Sequence, residues 1–116
     1  MMHMSTLIQL NTTDEWEKVL HKTNEGPVFV FKHSSTCPIS ANAFKEYENF
    51  PSDMDKYFLI VSESRTVSDQ IASDLDIKHE SPQIFLIKDE KALWNASHWD
   101  ITEKNIEDAV KEHLNA

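Results

Sequence analysis

An unbroken apolar run at residues 28–31, Val-Phe-Val-Phe, limits the architectures open to this chain. Gly26 and Pro27 come directly before the run, and they end any helix that precedes it. β-Branched and aromatic residues without alternating polar positions are typical of a strand that is buried on both faces, as in parallel or mixed sheets. We therefore predict that this run is the central strand of a sheet.

The only cysteine of the chain, Cys37, follows this strand after a polar loop and immediately precedes Pro38. Proline suits the first position of a helix, because it lacks the N–H group that would be unpaired there. Ala41, Phe44 and Tyr47 then continue at helical spacing. The sequence therefore predicts a lone thiol at the N-terminus of a helix.

The remaining segments predict alternating strands and helices. Thr12 and Glu15 have the spacing of a capping box at the start of a first helix, and Thr102 can cap the last one. Strands are predicted over residues 7–10, 28–31, 57–61, 83–87 and 91–95, and helices over 13–22, from 38 to before 51, from 66, and from 102 to the end. The order βαβαβαββα, with parallel crossovers followed by an antiparallel hairpin, is that of an α/β thioredoxin-like fold with a central mixed β-sheet flanked by helices.

Length and charge narrow the class of protein. With 116 residues the chain is expected to form a single domain, 1–116. Eleven Lys and Arg residues against 20 Asp and Glu give a net charge of −9, which disfavours nucleic-acid and anionic membrane partners. The sequence shows no signal peptide and no membrane span, and one cysteine suits a reducing compartment, so we expect a cytoplasmic protein.

The predicted position of Cys37 favours its reactive form. A thiolate, and not a thiol, is the nucleophile, and the free N–H groups and dipole of a helix N-terminus stabilise negative sulfur. We expect the sulfur to accept from the N–H groups of Ile39 or Ser40, and the Ser40 hydroxyl to donate as well. The alternative is a small, inert cysteine buried in a loop.

Ser40 stands where a Cys-x-x-Cys oxidoreductase has its second, resolving cysteine. A hydroxyl cannot form that disulfide, so the predicted cycle is monothiol. In this hypothesis Cys37 attacks a mixed disulfide, carries the adduct, and is released by an external thiol.

Ser81 and Pro82 precede a predicted strand at about the place where thioredoxin folds carry a cis-proline loop opposite the thiol. A cis bond there would expose backbone groups that can pair with a bound substrate. The sequence leaves open whether the bond is cis, because most X-Pro bonds are trans and a proline can simply begin a strand.

Three segments together, residues 36–40, 81–84 and 97–102, resemble the YtxJ-type monothiol bacilliredoxins over nearly the whole chain. The resemblance implies a thioredoxin-like fold and an oxidoreductase that removes bacillithiol from S-bacillithiolated client proteins. It implies bacillithiol as the low-molecular-weight thiol co-substrate and no tightly bound cofactor. The implied catalytic residues are Cys37, Pro38 and Ser40, and the implied substrate-binding residues include Thr36, Ile39, Ser81 and Pro82.

Two basic pairs are candidates for binding the carboxylates of bacillithiol or for favouring the thiolate. Lys32 and His33 approach Cys37 along the chain, and Lys78 and His79 precede Pro82. The alternative is that these residues are simply solvated surface charges.

Other features carry weaker expectations. The six histidines show no metal-ligand spacing, so no metal site is predicted. Trp94 and Trp99 are expected to cover the core near the hairpin, with a partner groove as the alternative for Trp99.

The alternative function for the whole protein is a non-catalytic adaptor, or an iron–sulfur carrier that uses Cys37 with an exogenous thiol.

Overall fold

A computed structural model describes residues 7–114 of the chain. These residues form β1 (Leu7–Gln9), α1 (Thr13–Lys22), β2 (Val28–His33), α2 (Pro38–Asn49), β3 (Lys56–Ile60), α3 (Arg65–Leu75), β4 (Gln83–Lys88), β5 (Lys91–Ser97), a 3₁₀ turn (His98–Asp100) and α4 (Glu103–Leu114). The predicted order of strands and helices is confirmed, and the 3₁₀ turn is the one addition to it within these residues.

The strands form one mixed sheet in the order β1-β3-β2-β4-β5, with β2 in the centre as predicted. β1, β3 and β2 run parallel, whereas β4 is antiparallel to β2 and β5 is antiparallel to β4. Lys32 pairs with Gln83, and Gln83 pairs with Ser97. The end of β2, the start of β4 and the end of β5 therefore lie together at one edge, which we call the Cys37 edge.

Both faces of β2 are buried, which explains its unbroken apolar sequence. Val28 and Val30 belong to a core cluster under α1 and α3, whereas Phe29 and Phe31 belong to a second cluster under α2 and α4. Successive side chains of a strand point to opposite faces, so one apolar run supplies both cores. The sheet is thus the middle of three layers.

Local sequence signals define the helix ends. Glu15 N–H donates to Thr12 Oγ1 (3.1 Å), and Thr12 N–H donates back to Glu15 Oε1 (3.0 Å), so the capping box of α1 is formed. Pro38 begins α2 as predicted. Thr102 Oγ1 accepts from Asn105 N–H (3.1 Å) at the start of α4.

A buried lysine closes the C-terminus of α2. Lys56 is only 4% exposed, and its ammonium donates to the carbonyl oxygens of Tyr47 (2.9 Å), Glu48 (3.4 Å) and Phe50. A cation satisfies carbonyl groups that the end of a helix leaves unpaired, and it complements the negative end of the helix dipole. This contact anchors α2 opposite the end that carries Cys37.

The β4–β5 hairpin turns without glycine. Asp89 and Glu90 both have positive φ, 52° and 63°, a region that ordinary residues rarely occupy. The segment after α1 holds this turn, because Asp89 N–H donates to the Thr23 carbonyl (2.9 Å) and Glu90 N–H donates to Thr23 Oγ1 (2.9 Å). Tertiary hydrogen bonds thus replace the glycine that such turns usually contain.

Within residues 7–114, the structure contains no helix with the length and apolar character needed to span a bilayer.

Candidate active site

Cys37 lies at the N-cap of α2, at the Cys37 edge of the sheet, and the residue is partly exposed. The Cys37 N–H donates to the Ser34 carbonyl (3.1 Å), which closes a tight turn between β2 and α2. The Cys37 carbonyl accepts from Ala41 N–H (3.0 Å), the first helical hydrogen bond. The backbone on both sides of Cys37 is therefore fixed, while the residue keeps part of its surface in contact with solvent.

The predicted hydrogen bonds to the sulfur are absent. The Cys37 side chain makes no capping hydrogen bond to the helix, so the expected donation from the N–H groups of Ile39 or Ser40 was wrong for this conformation. The φ and ψ angles of Cys37, −100° and 121°, are in the extended region, as is usual for an N-cap residue. The thiol therefore lies at the positive end of α2, and no group in the described part of the chain donates a capping hydrogen bond to it.

The Ser40 hydroxyl also has a different partner from the predicted one. Ser40 is fully buried, and its Oγ accepts from Ser34 N–H (2.8 Å) and lies 2.8 Å from His33 Nδ1. The serine at the resolving-cysteine position therefore ties the turn before Cys37 to α2, rather than donating to the sulfur.

His33 is half-buried between this serine and an aromatic ring. Its imidazole stacks on Phe44, with ring centroids 4.6 Å apart and planes 18° from parallel. Burial lowers the pKa of His33, against a smaller opposing effect of Glu48, so the neutral ring is favoured. His33 could attract an anionic thiol by its charge only when the imidazole is protonated, and this environment disfavours that form.

Ser81 and Pro82 lie at the Cys37 edge, immediately before β4, and the bond between them is cis. Gln83 braces the preceding loop, because its buried amide accepts from Glu80 N–H (3.0 Å) and donates to the Lys78 carbonyl (3.3 Å). The Ser81 hydroxyl oxygen is buried without a hydrogen-bond partner within residues 7–114. Gln83 was missed as a site residue because its partners lie outside the strand that contains it.

Lys32 does not occupy the surface position that was expected of it. The residue is 0% exposed and lies on the α1 and α3 side of β2, and its ammonium donates to the Ser68 carbonyl (3.0 Å). It also lies 3.1 Å from His79 Nδ1. The prediction that Lys32 meets the carboxylates of a bound thiol is wrong for this conformation, because the group is enclosed by protein.

Among the remaining predicted residues, Thr36 and Pro38 are exposed and Ile39 is half-buried, so the short segment around the thiol is open to a ligand. Lys78 is exposed, whereas its neighbour His79 is engaged with Lys32. No group of three or more His, Cys, Asp and Glu side chains in residues 7–114 is placed to hold a metal ion.

The two tryptophans of the second half have different surroundings. Trp94 packs against the second core cluster, as predicted, but Trp99 is 66% exposed, so its predicted place in the core is wrong. Trp99 lies in the 3₁₀ turn at the Cys37 edge, and the preceding His98 N–H donates to the Pro82 carbonyl (3.2 Å). This hydrogen bond joins the turn of Trp99 to the Ser81–Pro82 loop.

Solved structures show the same fold. A protein described as "A putative oxidoreductase with a thioredoxin fold" is 43% identical, with a TM-score of 0.82 over 89% of this chain and 92% of that chain. Thioredoxin from Fasciola hepatica is 16% identical, with a TM-score of 0.71 over 91% of this chain and 98% of that chain. A mutant thioredoxin from Halobacterium salinarum NRC-1 is 11% identical, with a TM-score of 0.75 over 97% of this chain and 95% of that chain.

A family model adds the class within that fold. The model described as "Monothiol bacilliredoxin BrxC" matches residues 8–106, which include Cys37, Ser40 and the Ser81–Pro82 loop. Together with the oxidoreductase that is 43% identical, this match supports a thiol oxidoreductase. The thioredoxin-like fold, the single thiol at the start of α2 and the family match lead to one conclusion: the chain belongs to the monothiol bacilliredoxin BrxC family.

Proposed function

We propose that this protein is an enzyme that removes bacillithiol from S-bacillithiolated cytoplasmic proteins by monothiol exchange at Cys37. The observation that carries the proposal is the position of the single cysteine, a partly exposed residue, at the N-cap of α2 in a member of the monothiol bacilliredoxin family. Bacillithiol is the co-substrate in this proposal.

The first step is a disulfide exchange that needs no added oxidant or reductant. The Cys37 thiolate attacks the bacillithiol sulfur of the mixed disulfide, a new disulfide joins Cys37 to bacillithiol, and the disulfide to the client breaks. The client cysteine leaves as a thiolate and takes up a proton. One disulfide is lost and one is formed, so the oxidation state of the system is unchanged.

The second step needs an external thiol. Ser40 has no sulfur, so Cys37 cannot be released by an internal partner. A second thiolate, such as free bacillithiol, attacks the bacillithiol sulfur of the adduct and regenerates the Cys37 thiolate with release of a low-molecular-weight disulfide. Turnover is therefore expected to depend on the concentration of free thiol.

The surroundings of Cys37 suit a thiol that must be reached by a second molecule. Thr36 and Pro38 are exposed beside Cys37, and the buried Ser40 hydroxyl stabilises the turn before Cys37 by accepting from the Ser34 N–H. The Ser81–Pro82 loop lies at the same edge of the sheet, and in this proposal it supplies backbone groups that align the incoming disulfide. Ile39 and Ser81 complete the proposed binding surface.

The test is an exchange assay with an S-bacillithiolated protein and free bacillithiol, read as release of the client thiol. We expect wild-type activity and none above background with Cys37→Ser, which keeps the size of the side chain but lacks the sulfur. The same client carrying glutathione tests the choice of thiol. Equal rates for the wild type and Cys37→Ser would overturn the enzymatic proposal, whereas equal use of both thiols would overturn only the assignment to bacillithiol.

A further inference from the structure

The proposed exchange makes no use of a polar cluster on the face of β2 that α1 and α3 cover. The ammonium of Lys32 is buried between a carbonyl of α3 and the imidazole of His79, at 3.0 Å from Ser68 O and 3.1 Å from His79 Nδ1. The Ser68 hydroxyl approaches the same ring nitrogen at 3.2 Å. The cluster therefore joins the central strand, α3 and the loop before β4.

No carboxylate of the described residues is in direct contact with Lys32, and the nearby charge of Asp69 on α3 only partly offsets the burial that lowers the pKa of Lys32 to about 8. None of the ion pairs within residues 7–114 includes Lys32, and its Nζ lies 5.6 Å from the centroid of the Phe85 ring. A buried ammonium without an ion pair is costly, and Ser68 O lies inside α3, unlike the helix-end carbonyls that Lys56 satisfies, so the fold alone gives little reason for a lysine here. Replacement of such a group by an apolar side chain is often neutral or stabilising.

The place of Lys32 in the sheet indicates a role other than stabilising the fold. Lys32 pairs with Gln83 across β2 and β4, and the Gln83 side chain hydrogen-bonds to backbone groups on both sides of His79 in the sequence, at Lys78 and Glu80. We propose that Lys32 is a positioning residue, which holds the loop at residues 78–82 through His79 so that Ser81 and Pro82 can align a disulfide against Cys37. This inference rests on the proposed exchange function and goes beyond it by assigning a role to a residue that touches neither the thiol nor the substrate.

The contact requires a neutral imidazole. Nδ1 of His79 can accept from Lys32 only when the ring proton is on Nε2, and a protonated ring would present an N–H group and a positive charge to the ammonium. Lys32 on β2 and Arg65 on α3 add positive charge near His79, whereas Asp69 on α3 and Glu80 in the same loop add negative charge. Burial and the two cations keep the pKa of His79 below its usual value of 6.5, so the neutral ring predominates at neutral pH.

Three variants separate this role from a structural one. Lys32→Met removes the donor, His79→Leu removes the acceptor, and His79→Asn keeps an acceptor oxygen near the place of Nδ1 but does not titrate. At pH 7.5 we expect kcat/KM for removal of bacillithiol from the client to fall about tenfold in Lys32→Met and in His79→Leu, and to stay within about threefold of wild type in His79→Asn. The double variant should be no worse than either single variant, because both break one contact.

Two further readouts distinguish positioning from damage to the fold or to the thiol. Alkylation of Cys37 by iodoacetamide should stay within about twofold of wild type in all variants, and Lys32→Met should unfold at no lower urea concentration. Below pH 6.5 the ratio of wild-type activity to His79→Asn activity should fall, because only the wild type loses the contact on protonation. Lys104→Met, at an exposed lysine of α4, controls for the loss of one positive charge.

Hydrogen exchange tests the contact even if the client assay shows no activity. Backbone amides of residues 78–81 should exchange faster in Lys32→Met and His79→Leu than in wild type and His79→Asn. Unchanged exchange in that loop would overturn the inference, as would unchanged kcat/KM in Lys32→Met or additive losses in the double variant. A wild-type protein without activity, but with the expected pattern of hydrogen exchange, would instead contradict the proposed function alone.

Discussion

The Nδ1 atom of His33 lies 2.8 Å from the hydroxyl oxygen of Ser40, at the position where dithiol relatives carry their second cysteine. The same oxygen accepts from Ser34 N–H at 2.8 Å. One buried hydroxyl therefore connects the end of β2, the turn before Cys37 and the first turn of α2. The residue that makes the proposed cycle monothiol therefore also links the structural elements next to Cys37.

Replacement of this link should cost stability. Ser40→Ala leaves the Ser34 N–H and a nitrogen of the half-buried His33 imidazole without their partner, so we expect the free energy of unfolding to fall by about 1–3 kcal/mol. Urea denaturation followed by circular dichroism measures the change. Ser35→Ala, at an exposed position of the same turn, is the matched control and should change it by less than about 0.5 kcal/mol. Equal effects of the two variants would contradict the assigned hydrogen bonds.

A second substitution at the same position tests the monothiol mechanism. Ser40→Cys creates the Cys-x-x-Cys spacing at the start of α2, so mild oxidation should form an internal disulfide between positions 37 and 40. Intact-mass measurement under denaturing conditions should then show the loss of two hydrogen atoms. Two free thiols that persist in excess oxidant would show that position 40 cannot serve as a resolving position in this fold.

Lys56, the buried lysine of β3 that caps the C-terminus of α2, should be essential for the stability of that helix. Lys56→Met leaves carbonyl groups of Tyr47, Glu48 and Phe50 without their donor, and we expect a loss of about 2–3 kcal/mol in the free energy of unfolding. Lys104→Met removes an exposed lysine paired with Asp108 on α4, and its expected effect is below about 0.5 kcal/mol. Urea titrations of both variants measure the difference, and similar midpoints would refute the capping role.

Stability should also fall in mild acid. Burial lowers the pKa of His33 and of His79 below 6.5, so the unfolded chain binds more protons than the folded protein once the pH drops below that value. The contribution of both residues is complete above pH 6.5 and is lost as the pH falls through their folded-state pKa values. Urea midpoints at pH 7.5 and pH 5.5 should differ for the wild type and should differ less for a His33→Asn, His79→Asn double variant. An equal drop in both proteins would assign the effect to other groups.

Much of the fold is predictable because its signals are local. Pro38 begins α2, Thr12 and Glu15 form a capping box within one turn, and the run at residues 28–31 is apolar because both faces of its strand are covered. Each of these signals depends on neighbours only a few residues away. The order of the elements then follows, and with it the meeting of the Cys37 turn and the Ser81–Pro82 loop at one edge.

The polar interior could not be predicted in the same way. Lys32, Lys56 and Gln83 are polar residues that the structure buries, and each is stabilised by partners that lie elsewhere in the chain or outside its own strand. Hydropathy assigns such residues to the surface, and only the tertiary structure supplies their hydrogen bonds. The exposure of Trp99 was missed for the converse reason, because a large apolar residue near a predicted hairpin usually packs inward.

In the proposed exchange, Cys37 itself carries the thiol taken from the client. The direct measurement is the intact mass of the reduced protein after brief reaction with an S-bacillithiolated client and an acid quench, followed by peptide mapping. We predict one added bacillithiol, less the two hydrogen atoms lost in forming the disulfide, on the peptide that contains Cys37. A client that loses its bacillithiol while Cys37 stays unmodified at every time point, with no disulfide to the client, would contradict the account.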